Sequence, residues 1–472
     1  MTNKTQAYAL LLAGGSGTRL WPISREMFPK QLVRFIKNKS LIQHTAIRLS
    51  EAFEIQNLKI VCGKNHTNDI FKDLKEIKLY HDQLIVNEPC GRNTAPAILL
   101  GVLKIYNIDP NAIIFVFPAD HVIDRLSKFY EKIHMADQLA RNGHVVTFGI
   151  TPEYPETGYG YIEASNEKIG HGYKINRFVE KPDLKTAEKY IQSGNFYWNA
   201  GMFAFKASVL IEAFENYMPS MLNSLKELIA KNLLDINHYK ELKNISFDYA
   251  IMEKIDEGVV LPSDFKWSDI GSWKALYDYL PKDSQHNVII DNSDNIHIQN
   301  TENCLAMGQD RFIFLNRLKN IALIDTPDAL FVSDLENSRD AKEAVAFLKA
   351  HDRQEYHVHK FQSMEWGNIT TLDAQPSYIV SKYVIHADAK IPAYQNILQL
   401  NQWHITSGHG LITIDDNELN MHAGENITIE SGMVVSFENL SNEDLVFIDI
   451  STPLQSISIE KHESEEMFFD ED

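Results

Sequence analysis

Three glycines followed by cationic side chains, near the start of the sequence, are suited to binding phosphate. The apolar run over residues 7–13 leads into three glycines between positions 14 and 17, and Arg19, Arg25 and Lys30 follow. Glycine leaves backbone N–H groups accessible to an anion, and several cations together neutralise phosphate charge. The loop therefore fits a nucleoside triphosphate whose α-phosphorus is attacked.

Two other glycine-rich phosphate motifs fail on their spacing. A Walker A loop has glycine at its first and sixth positions and lysine at its seventh. Counted from Gly14, the sixth position is Arg19. Counting from Gly15 gives Leu20, and a dinucleotide-binding fingerprint requires its third glycine at that position. A glycine-rich turn with solvated charges is the remaining alternative. It is disfavoured because nothing local in the sequence pairs the three cations.

Composition narrows the class of protein. A chain of 472 residues, 44% hydrophobic and 23% charged, is typical of a globular protein with two or three domains. The net charge of −19 argues against a general nucleic-acid binder, so the basic loop is a local feature suited to a small anion. Three cysteines far apart predict neither a disulfide framework nor a metal knuckle. Without a leader or a membrane-length apolar run, we expect a cytoplasmic protein that binds no membrane.

The first 150 residues alternate between apolar runs and helical patterns. Strands are predicted over residues 7–13, 58–62, 84–86, 112–117 and 145–150, and helices from the capping box at Ser40 and over residues 94–106. This alternation predicts an α/β domain whose sheet is mostly parallel, with ligands at the carboxyl ends of the strands. The glycine loop, the segment after Val86 and the segment around Asp120 should therefore meet along one edge.

The remainder of the chain changes character twice. Residues 151–285 are mixed, with helices starting near Asp183 and Ala207, and residues 286–345 carry short β-runs that suggest a small β-unit acting as a spacer. Residues 355–452 predict a β-sandwich or barrel, and the acidic end predicts a disordered tail. The expected domains span residues 1–285, 286–350, 351–458 and 459–472.

Ordered blocks of sequence identify a family. Six of them are Gly14–Pro22, Pro29–Gln31, Glu88–Pro96, Pro118–His121, Phe178–Pro182 and Trp267–Trp273. Together they resemble the mannose-1-phosphate guanylyltransferases, in the long form with a mannose-6-phosphate isomerase-like C-terminal domain. The resemblance continues in Thr157–Ile162, Trp198–Phe203 and Phe247–Lys254, and covers nearly the whole chain. It implies a Rossmann-like nucleotidyltransferase domain with a mostly parallel mixed sheet, a small β-rich linker unit and a cupin-like β-barrel.

The resemblance implies that GMP is transferred from GTP to α-D-mannose 1-phosphate, with Mg²⁺ as cofactor and no covalent intermediate. The catalytic candidates are Arg19, Lys30 and Asp120, and two carboxylates, Asp120 and Asp269, would hold the ion. The nucleotide-binding candidates are Ala13, Gly14, Gly15, Gly17, Thr18, Glu88, Arg92, Asn93 and Thr94. The candidates for the sugar phosphate are Gly160, Glu180, Lys181 and Asn199, with the turn at Gly158 beside them.

Several of these roles have alternatives. A carboxylate at Glu88 can accept from both N1–H and N2–H of guanine, but a backbone carbonyl can read the base instead. Asn93 or Thr94 can cap the following helix as well as contact nucleotide. Glu180 and Lys181 are neighbours on a strand, so both can face one ligand only if the backbone turns there. A plain hairpin is the alternative.

The C-terminal domain departs from the isomerase that it resembles. The isomerase pattern Gln-x-His-x-His-Arg-x-Glu-His-Trp reads here as residues 394–403, in which only Trp403 is kept, and Val435 replaces a further histidine. Amides and a leucine cannot supply the imidazole and carboxylate ligands of a catalytic metal. We therefore expect no isomerase activity and a role in packing, oligomer formation or regulation. Histidines remain that can form another site or lie in the core or on the surface: His357, His359, His404 and His409.

Two other functions are compatible with the same motifs. The phosphate loop reads neither base nor sugar, so a nucleotidyltransferase for another sugar 1-phosphate or nucleotide is the nearest alternative. A non-catalytic sugar-nucleotide sensor is the alternative from another class. It is disfavoured because a sensor has no need for Arg19, Lys30, Asp120 and Asp269 together. A homo-oligomer is compatible with the sequence, which does not fix the oligomeric state.

Overall fold

The computed structural model forms two compact units, Met1–Val358 and His359–Asp472. It describes residues 5–15, 17–36, 38–256, 258–290, 295–308, 311–337, 340–364, 366–396 and 399–453. The predicted acidic tail, residues 459–472, lies outside the described residues. In the part of the chain that is described, no helix has the length and apolar character needed to span a bilayer.

A nine-stranded mixed sheet forms the centre of the first unit. The first eleven strands are β1 Tyr8–Leu12, β2 Leu58–Gly63, β3 Ile85–Glu88, β4 Ile113–Pro118, β5 Val122–Ile123, β6 Val145–Ile150, β7 Gly160–Ile169, β8 Gly172–Glu180, β9 Phe196–Lys206, β10 Gly258–Ser263 and β11 Trp267–Ser268. The order in the large sheet is β3-β2-β1-β4-β9-β6-β10-β8-β7, while β5 and β11 pair separately. Strands β1 to β4 are parallel to one another, and β9 runs antiparallel between β4 and β6. This confirms the predicted fold class.

Helices cover both faces of this sheet. They are α1 Leu41–Ser50, α2 Thr67–Glu76, α3 Thr94–Tyr106, α4 Leu126–Arg141, α5 Leu184–Ser193, α6 Ala207–Tyr217, α7 Pro219–Ala230 and α8 Ile236–Tyr239, whereas α9 Trp273–Tyr279 packs in a separate core. Successive residues of a strand point to opposite faces, so β1 sends Leu11 into one buried core and Leu10 into the other. Helix α1 begins with the predicted capping box, in which Ser40 and Gln43 bond each other's backbone.

The β-rich segment that follows belongs to the same compact unit. Its elements are β12 Val288–Ile290, β13 Ile296–Gln299, β14 Leu305–Met307, β15 Ile313–Asn316, β16 Ile321–Asp325, β17 Leu330–Asp334 and α10 Asp340–Ala350. Strands β12, β14 and β16 stack in parallel, with Val288, Leu305 and Ala322 in register. These three residues share a third core with Leu20 and Trp21, which directly follow the glycine loop. The segment therefore packs on the loop, and the interpretation as a spacer is wrong.

The expectation that Arg25 helps to neutralise phosphate is wrong. Its side chain is fully buried and pairs with Asp328 at 2.8 Å between Nη2 and Oδ1, while its other N–H groups donate to the carbonyls of Pro22, Glu355 and Val358. Because Asp328 lies some 300 positions further along the chain, the local sequence does not reveal the acid that pairs with Arg25. Arg25 fixes the loop to the β-rich segment and takes no part in a phosphate site.

The second unit is built from two antiparallel sheets. Its strands are β18 Phe361–Met364, β19 Gly367–Gln375, β20 Tyr378–Ile385, β21 Lys390–Gln395, β22 Gln399–Ser407, β23 His409–Ile414, β24 Asn417–His422, β25 Asn426–Ile429, β26 Val434–Asn439 and β27 Leu445–Pro453. Six strands form one sheet and four form the other, around a core that includes Trp403, Phe437 and Phe447. This confirms the predicted cupin-like barrel.

The buried pair between Arg25 and Asp328 generates a stability prediction. Asp328→Ala leaves the guanidinium buried without its counter-charge, which should lower the free energy of unfolding by roughly 3–5 kcal/mol. Urea unfolding of the full chain measures the change. The matched control is Glu227→Ala, which removes an exposed pair with Lys231 and should have little effect. Equal losses in the two variants would contradict the role given to Asp328.

Candidate functional site

The glycine loop leaves β1 in a conformation that other residues rarely adopt. Gly15 and Gly17 have φ of +104° and +55°, in the left-handed region. The loop is held at both ends: Gln31 Nε2 donates to the carbonyl of Ala13 at 2.8 Å, and Ser24 Oγ donates to the carbonyl of Gly17 at 2.7 Å. Between these anchors Gly14 and Gly15 are exposed, as an anion-binding loop requires.

Gly17 and Lys30 are in direct contact. A Cβ atom placed on Gly17 would lie 2.6 Å from the backbone nitrogen of Lys30 and 2.7 Å from its Cβ. Both distances are far below van der Waals contact, and the Lys30 backbone cannot move away as a flexible side chain would. The glycine is therefore required for the position of Lys30 as well as for the shape of the loop.

Lys30 is buried and its ammonium group joins two distant segments. Its Nζ donates to Asp120 Oδ2 at 2.9 Å and also to the backbone carbonyl of Asp269. Only 8% of the Lys30 side chain is exposed, compared with 31% of the Asp120 side chain. Burial raises the pKa of Asp120, but the charge of Lys30 and its hydrogen bond to the carboxylate lower the pKa below its ordinary value. Asp120 is therefore a carboxylate.

The ring of His121 lies beside this pair in its neutral form. Trp267 Nε1 donates to His121 Nδ1 at 3.2 Å, which leaves the ring proton on Nε2. Burial lowers the pKa of His121, although the neighbouring Asp120 acts in the opposite direction. His121 Nε2 is 3.9 Å from Asp120 Oδ1, too far for a hydrogen bond.

Asp269 accepts two hydrogen bonds and precedes a residue with a strained backbone. Its Oδ1 accepts from Tyr159 Oη and from the Gly271 backbone, both at 2.9 Å. The next residue, Ile270, has φ of +44°, which is costly for a β-branched side chain. Such strain persists only where the surrounding contacts fix the backbone. In this conformation the Asp269 carbonyl accepts a hydrogen bond from Lys30.

Two carboxylate oxygens are left for a cation. Asp120 Oδ2 is used by Lys30 and Asp269 Oδ1 by its two donors, whereas Asp120 Oδ1 and Asp269 Oδ2 accept no hydrogen bond from any residue in the described ranges. Oxygen ligands from one or two carboxylates, completed by water and phosphate, are what Mg²⁺ prefers. The described residues form no group of three or more His, Cys, Asp or Glu side chains for a metal ion. The donor set thus suits an ion shared with a phosphate ligand.

Arg19 and Thr18 lie on the short helical turn Thr18–Leu20 that follows Gly17. The Arg19 side chain is exposed, and no residue in the described part of the chain forms an ion pair or hydrogen bond with it. It is therefore available to an anion above the loop, in contrast to the buried Lys30.

Glu88 lies at the end of β3, next to the first glycine of the loop. Its side chain is buried, its Oε1 accepts from Tyr239 Oη at 3.0 Å, and its Oε2 lies 3.7 Å from where a Cβ on Gly14 would be. Burial raises the pKa of Glu88 to about 7, although the hydrogen bonds from Tyr239 and from the Arg92 backbone lower it. A buried acceptor with one oxygen facing the loop can receive the N–H groups of a base.

The segment after Glu88 is occupied by structural contacts. Arg92 donates through Nε and Nη2 to the Leu242 carbonyl, at 2.8 and 2.6 Å. Asn93 has φ of +68° and accepts from the Thr94 backbone, so it caps helix α3 as one alternative predicted. Thr94 Oγ1 accepts from the Phe247 backbone at 2.8 Å. Roles for these three residues in nucleotide binding remain predictions.

A second acidic pocket lies where β7, β8 and β9 meet. A Cβ on Gly160 would lie 2.6 Å from Glu180 Oε2, so the missing side chain makes room for this carboxylate. Lys181 has φ of +50°, and its ammonium group bonds the Glu180 carboxylate. The backbone turn brings both side chains to the same side, which a regular strand would not allow. Glu180 and Lys181 can therefore both face one ligand.

Asp248 and Asn199 complete this pocket. Asn199 Nδ2 donates to Asp248 Oδ1 at 2.8 Å, while its Oδ1 accepts from Thr147 and from the Gly201 backbone. Burial and the nearby charge of Glu180 raise the pKa of Asp248 to about 6. The pocket therefore presents two acids, an amide and a lysine, a set suited to the hydroxyl groups of a sugar.

Sequence reasoning missed three residues of the site. Asp248 begins a π-helical turn, Asp248–Met252, and its sequence block resembles the family without indicating a role for this acid. Tyr159 links the cluster around Asp269 to the acidic pocket around Glu180. Its hydroxyl donates to Asp269, and its carbonyl accepts from the Lys181 backbone at 3.2 Å. Tyr239 holds Glu88. A signal was present for Tyr159, which lies between Gly158 and Gly160, but none for Tyr239.

Comparisons with known proteins identify the family of both parts of the chain. The model of the nucleotidyl transferase family matches residues 8–286, and that of the mannose-6-phosphate isomerase C-terminal domain matches residues 351–458. Mannose-1-phosphate guanylyltransferase of Klebsiella pneumoniae is 34% identical over 453 residues, covering 94% of this chain and 95% of that protein. The protein of the same name from Escherichia coli is 34% identical over 440 residues, covering 91% and 92%.

One solved structure extends the likeness to the fold. The crystal structure described as mannose-1-phosphate geranyltransferase from Thermus thermophilus is 31% identical and covers 73% of this chain and all of that chain. Its TM-score is 0.66, so the two share a fold over most of their length.

The buried Glu88 generates a prediction about pH. Its pKa is raised from 4.5 to about 7 in the folded chain. The folded state therefore holds a proton that the unfolded chain releases between these values, so the free energy of unfolding falls as pH rises through this window. The loss attributable to Glu88 is on the order of 3 kcal/mol. Glu88→Gln should abolish that part of the pH dependence.

Urea unfolding of both proteins at pH 5 and pH 7.5 measures the difference. Other titrating groups cancel in the comparison, because the two chains differ at one position. Parallel pH profiles would contradict the raised pKa of the buried Glu88 carboxyl group.

Proposed function

Because the chain belongs to the mannose-1-phosphate guanylyltransferase family, we propose that it transfers GMP from GTP to α-D-mannose 1-phosphate, giving GDP-mannose and pyrophosphate. The observation that carries the proposal is the position of Lys30. The backbone and Cβ of Lys30 lie against Gly17 of the glycine loop, and its buried ammonium group is paired with Asp120 and bonded to the carbonyl of Asp269. A positive charge held on a segment that packs against an exposed glycine loop supports the binding of a triphosphate.

The reaction requires no protein nucleophile. An anionic oxygen of the sugar phosphate attacks the α-phosphorus of GTP and forms the new P–O bond, while the bond from that phosphorus to the bridging oxygen of pyrophosphate breaks. Negative charge grows on the departing pyrophosphate, where Lys30, Arg19 and the loop amides would stabilise it. Catalysis is then positioning and charge neutralisation by groups that need no reorganisation.

Two pockets would hold the substrates. Glu88 beside Gly14 supports recognition of guanine, whose N1–H and N2–H form a donor pair that adenine lacks. Glu180, Asn199 and Asp248 would accept mannose hydroxyls, with Lys181 for the sugar phosphate. Tyr159 bonds residues of both the sugar pocket and the Lys30 cluster, which supports attack between them.

Asp120 and Asp269 would hold Mg²⁺ through the two oxygens that accept no hydrogen bond within the described ranges. When bound, the ion would neutralise phosphate charge and align the phosphates. Lys30 keeps Asp120 ionised, and Tyr159 with Gly271 holds Asp269 in place, so both carboxylates are prepared as ligands.

The isomerase reaction is proposed to be absent from the C-terminal barrel. Val435, at a position where the isomerase has a histidine, is fully buried in the barrel core. Asn396 uses its amide nitrogen to bond three backbone carbonyls, while Ile397 and Leu398 lie outside the described residues. Neither Val435 nor Asn396 supplies a metal ligand.

Substrate choice tests the proposed function directly. Steady-state pyrophosphate release is measured with GTP, ATP, UTP and dTTP, each with mannose 1-phosphate or glucose 1-phosphate. We expect GTP with mannose 1-phosphate to give the highest kcat/KM. A higher value for another pair would replace the substrate, and binding without pyrophosphate release would indicate a sugar-nucleotide sensor.

Variants of the central ion pair test the mechanism. Lys30→Ala removes the charge that faces the leaving pyrophosphate, and Asp120→Ala removes a proposed ligand of the ion. Each should lower kcat by about 10²–10³-fold. Lys64→Ala, which removes an exposed lysine of the same unit, should leave kcat unchanged. Circular dichroism checks the fold, and an unaffected kcat in a folded Lys30→Ala or Asp120→Ala variant would remove that residue from the mechanism.

An assay for the second activity is equally simple. Conversion of fructose 6-phosphate to mannose 6-phosphate by the full chain should stay at background with Zn²⁺, Mg²⁺ or Mn²⁺ added. Turnover above background would contradict the proposed loss of isomerase activity.

A further inference from the structure

The C-terminal barrel contains a cavity of about 490 Å³ that the proposed nucleotidyl transfer does not use. This volume is in the range of small-ligand sites. Strands of both sheets contribute to its walls, so the cavity is part of the barrel interior. The side chains that carry the argument are Trp366, Tyr383, Tyr394, Asn396, Asn401 and Asp449.

A buried carboxylate and an unsatisfied amide lie together in this cavity. Asn401 Nδ2 donates to both oxygens of Asp449, each at 2.9 Å, and Asp449 is only 4% exposed. Asn401 Oδ1 is buried and accepts a hydrogen bond from no residue in the described ranges. An unpaired buried acceptor costs free energy, so a donor from a ligand in the cavity would stabilise it.

The charge of the lining excludes anions. Among the residues described around the cavity there is no lysine, arginine or histidine, and Asp449 is the single acid. A phosphate ester placed here would lack a counter-charge and would face a carboxylate at low dielectric. Sugar phosphates and nucleotides are therefore disfavoured. Burial raises the pKa of Asp449 to about 6, so most of its population remains ionised at neutral pH.

The remaining walls combine flat aromatic rings with hydroxyl and amide groups. The rings of Trp366 and Tyr383 are parallel, 6.1 Å apart and inclined by 7°. Tyr394, which also lines the cavity, is 40% exposed. Aromatic faces pack against the C–H face of a sugar ring, while neutral polar groups exchange hydrogen bonds with its hydroxyls.

We propose that this cavity binds an uncharged polyhydroxylated ring, such as a free sugar or a cyclitol, with Asp449 and Asn401 accepting its hydroxyl protons. The barrel is then a binding domain for a neutral sugar-like ligand. This proposal does not depend on the nucleotidyl transfer, because every residue it uses lies in the second unit.

Calorimetric titration of the full-length protein tests the proposal. The probes are D-mannose, D-glucose and myo-inositol, with mannose 6-phosphate and glucosamine as the anionic and cationic comparisons. At least one neutral probe should bind with a quench of tryptophan fluorescence, and Trp366→Phe should remove that quench. Asp449→Asn should weaken binding by about tenfold or more, as expected for a lost bond to a charged acceptor.

Two further variants locate the binding site. Tyr394→Ala, at a partly exposed position, should also weaken binding and decides the matter if Asp449→Asn fails to fold. Asp248→Asn, in the sugar pocket of the first unit, should leave this binding unchanged, and Asp449→Asn should leave GTP turnover unchanged. The proposal is overturned by no neutral probe binding, by binding that only Asp248→Asn weakens, or by tighter binding of a charged probe than of the neutral ones.

Discussion

The contact between Gly17 and Lys30 is the constraint on which the proposed nucleotidyl transfer site depends. Lys30 carries a charge in a place where water cannot reach it freely, so its ammonium group must find partners on the protein. Asp120 from the end of β4 and the Asp269 carbonyl provide them. The close approach of the loop leaves no room for a Cβ at position 17, and one short segment therefore fixes both the loop amides and the cation.

Packing far from the loop holds this arrangement in place. Leu20 and Trp21 are buried in the third core, together with residues of β12, β14 and β16. Trp21 Nε1 donates to the Glu355 carbonyl at 2.8 Å, and Arg25 pairs with Asp328. The β-rich segment of the first unit thus serves as the support for the loop. Without it, the residues between Gly17 and Lys30 would lack a core of their own.

The local pattern of the sequence is enough to predict much of the fold. Helix α3 begins and ends at the predicted residues, and the parallel strands follow from buried apolar runs with helices between them. Pairings between distant positions leave no such pattern. Arg25 resembles a phosphate ligand in the sequence because its partner Asp328 is remote, and nothing near Tyr239 indicates that it holds Glu88. The role of Asp248 depends on a π-helical turn, which has no local periodic signal.

The strongest test of this account is the substitution Gly17→Ala, with Gly143→Ala as its control. Gly143 also has a positive φ, of +91°, but a Cβ there meets nothing within 4 Å, so the control carries the backbone strain without the clash. If Lys30 acts in the chemical step, its displacement should lower kcat for GMP transfer by about 10²-fold. Gly143→Ala should retain the original kcat. Equal kcat values in the two folded variants would contradict the central role given to the packing of Lys30 against Gly17.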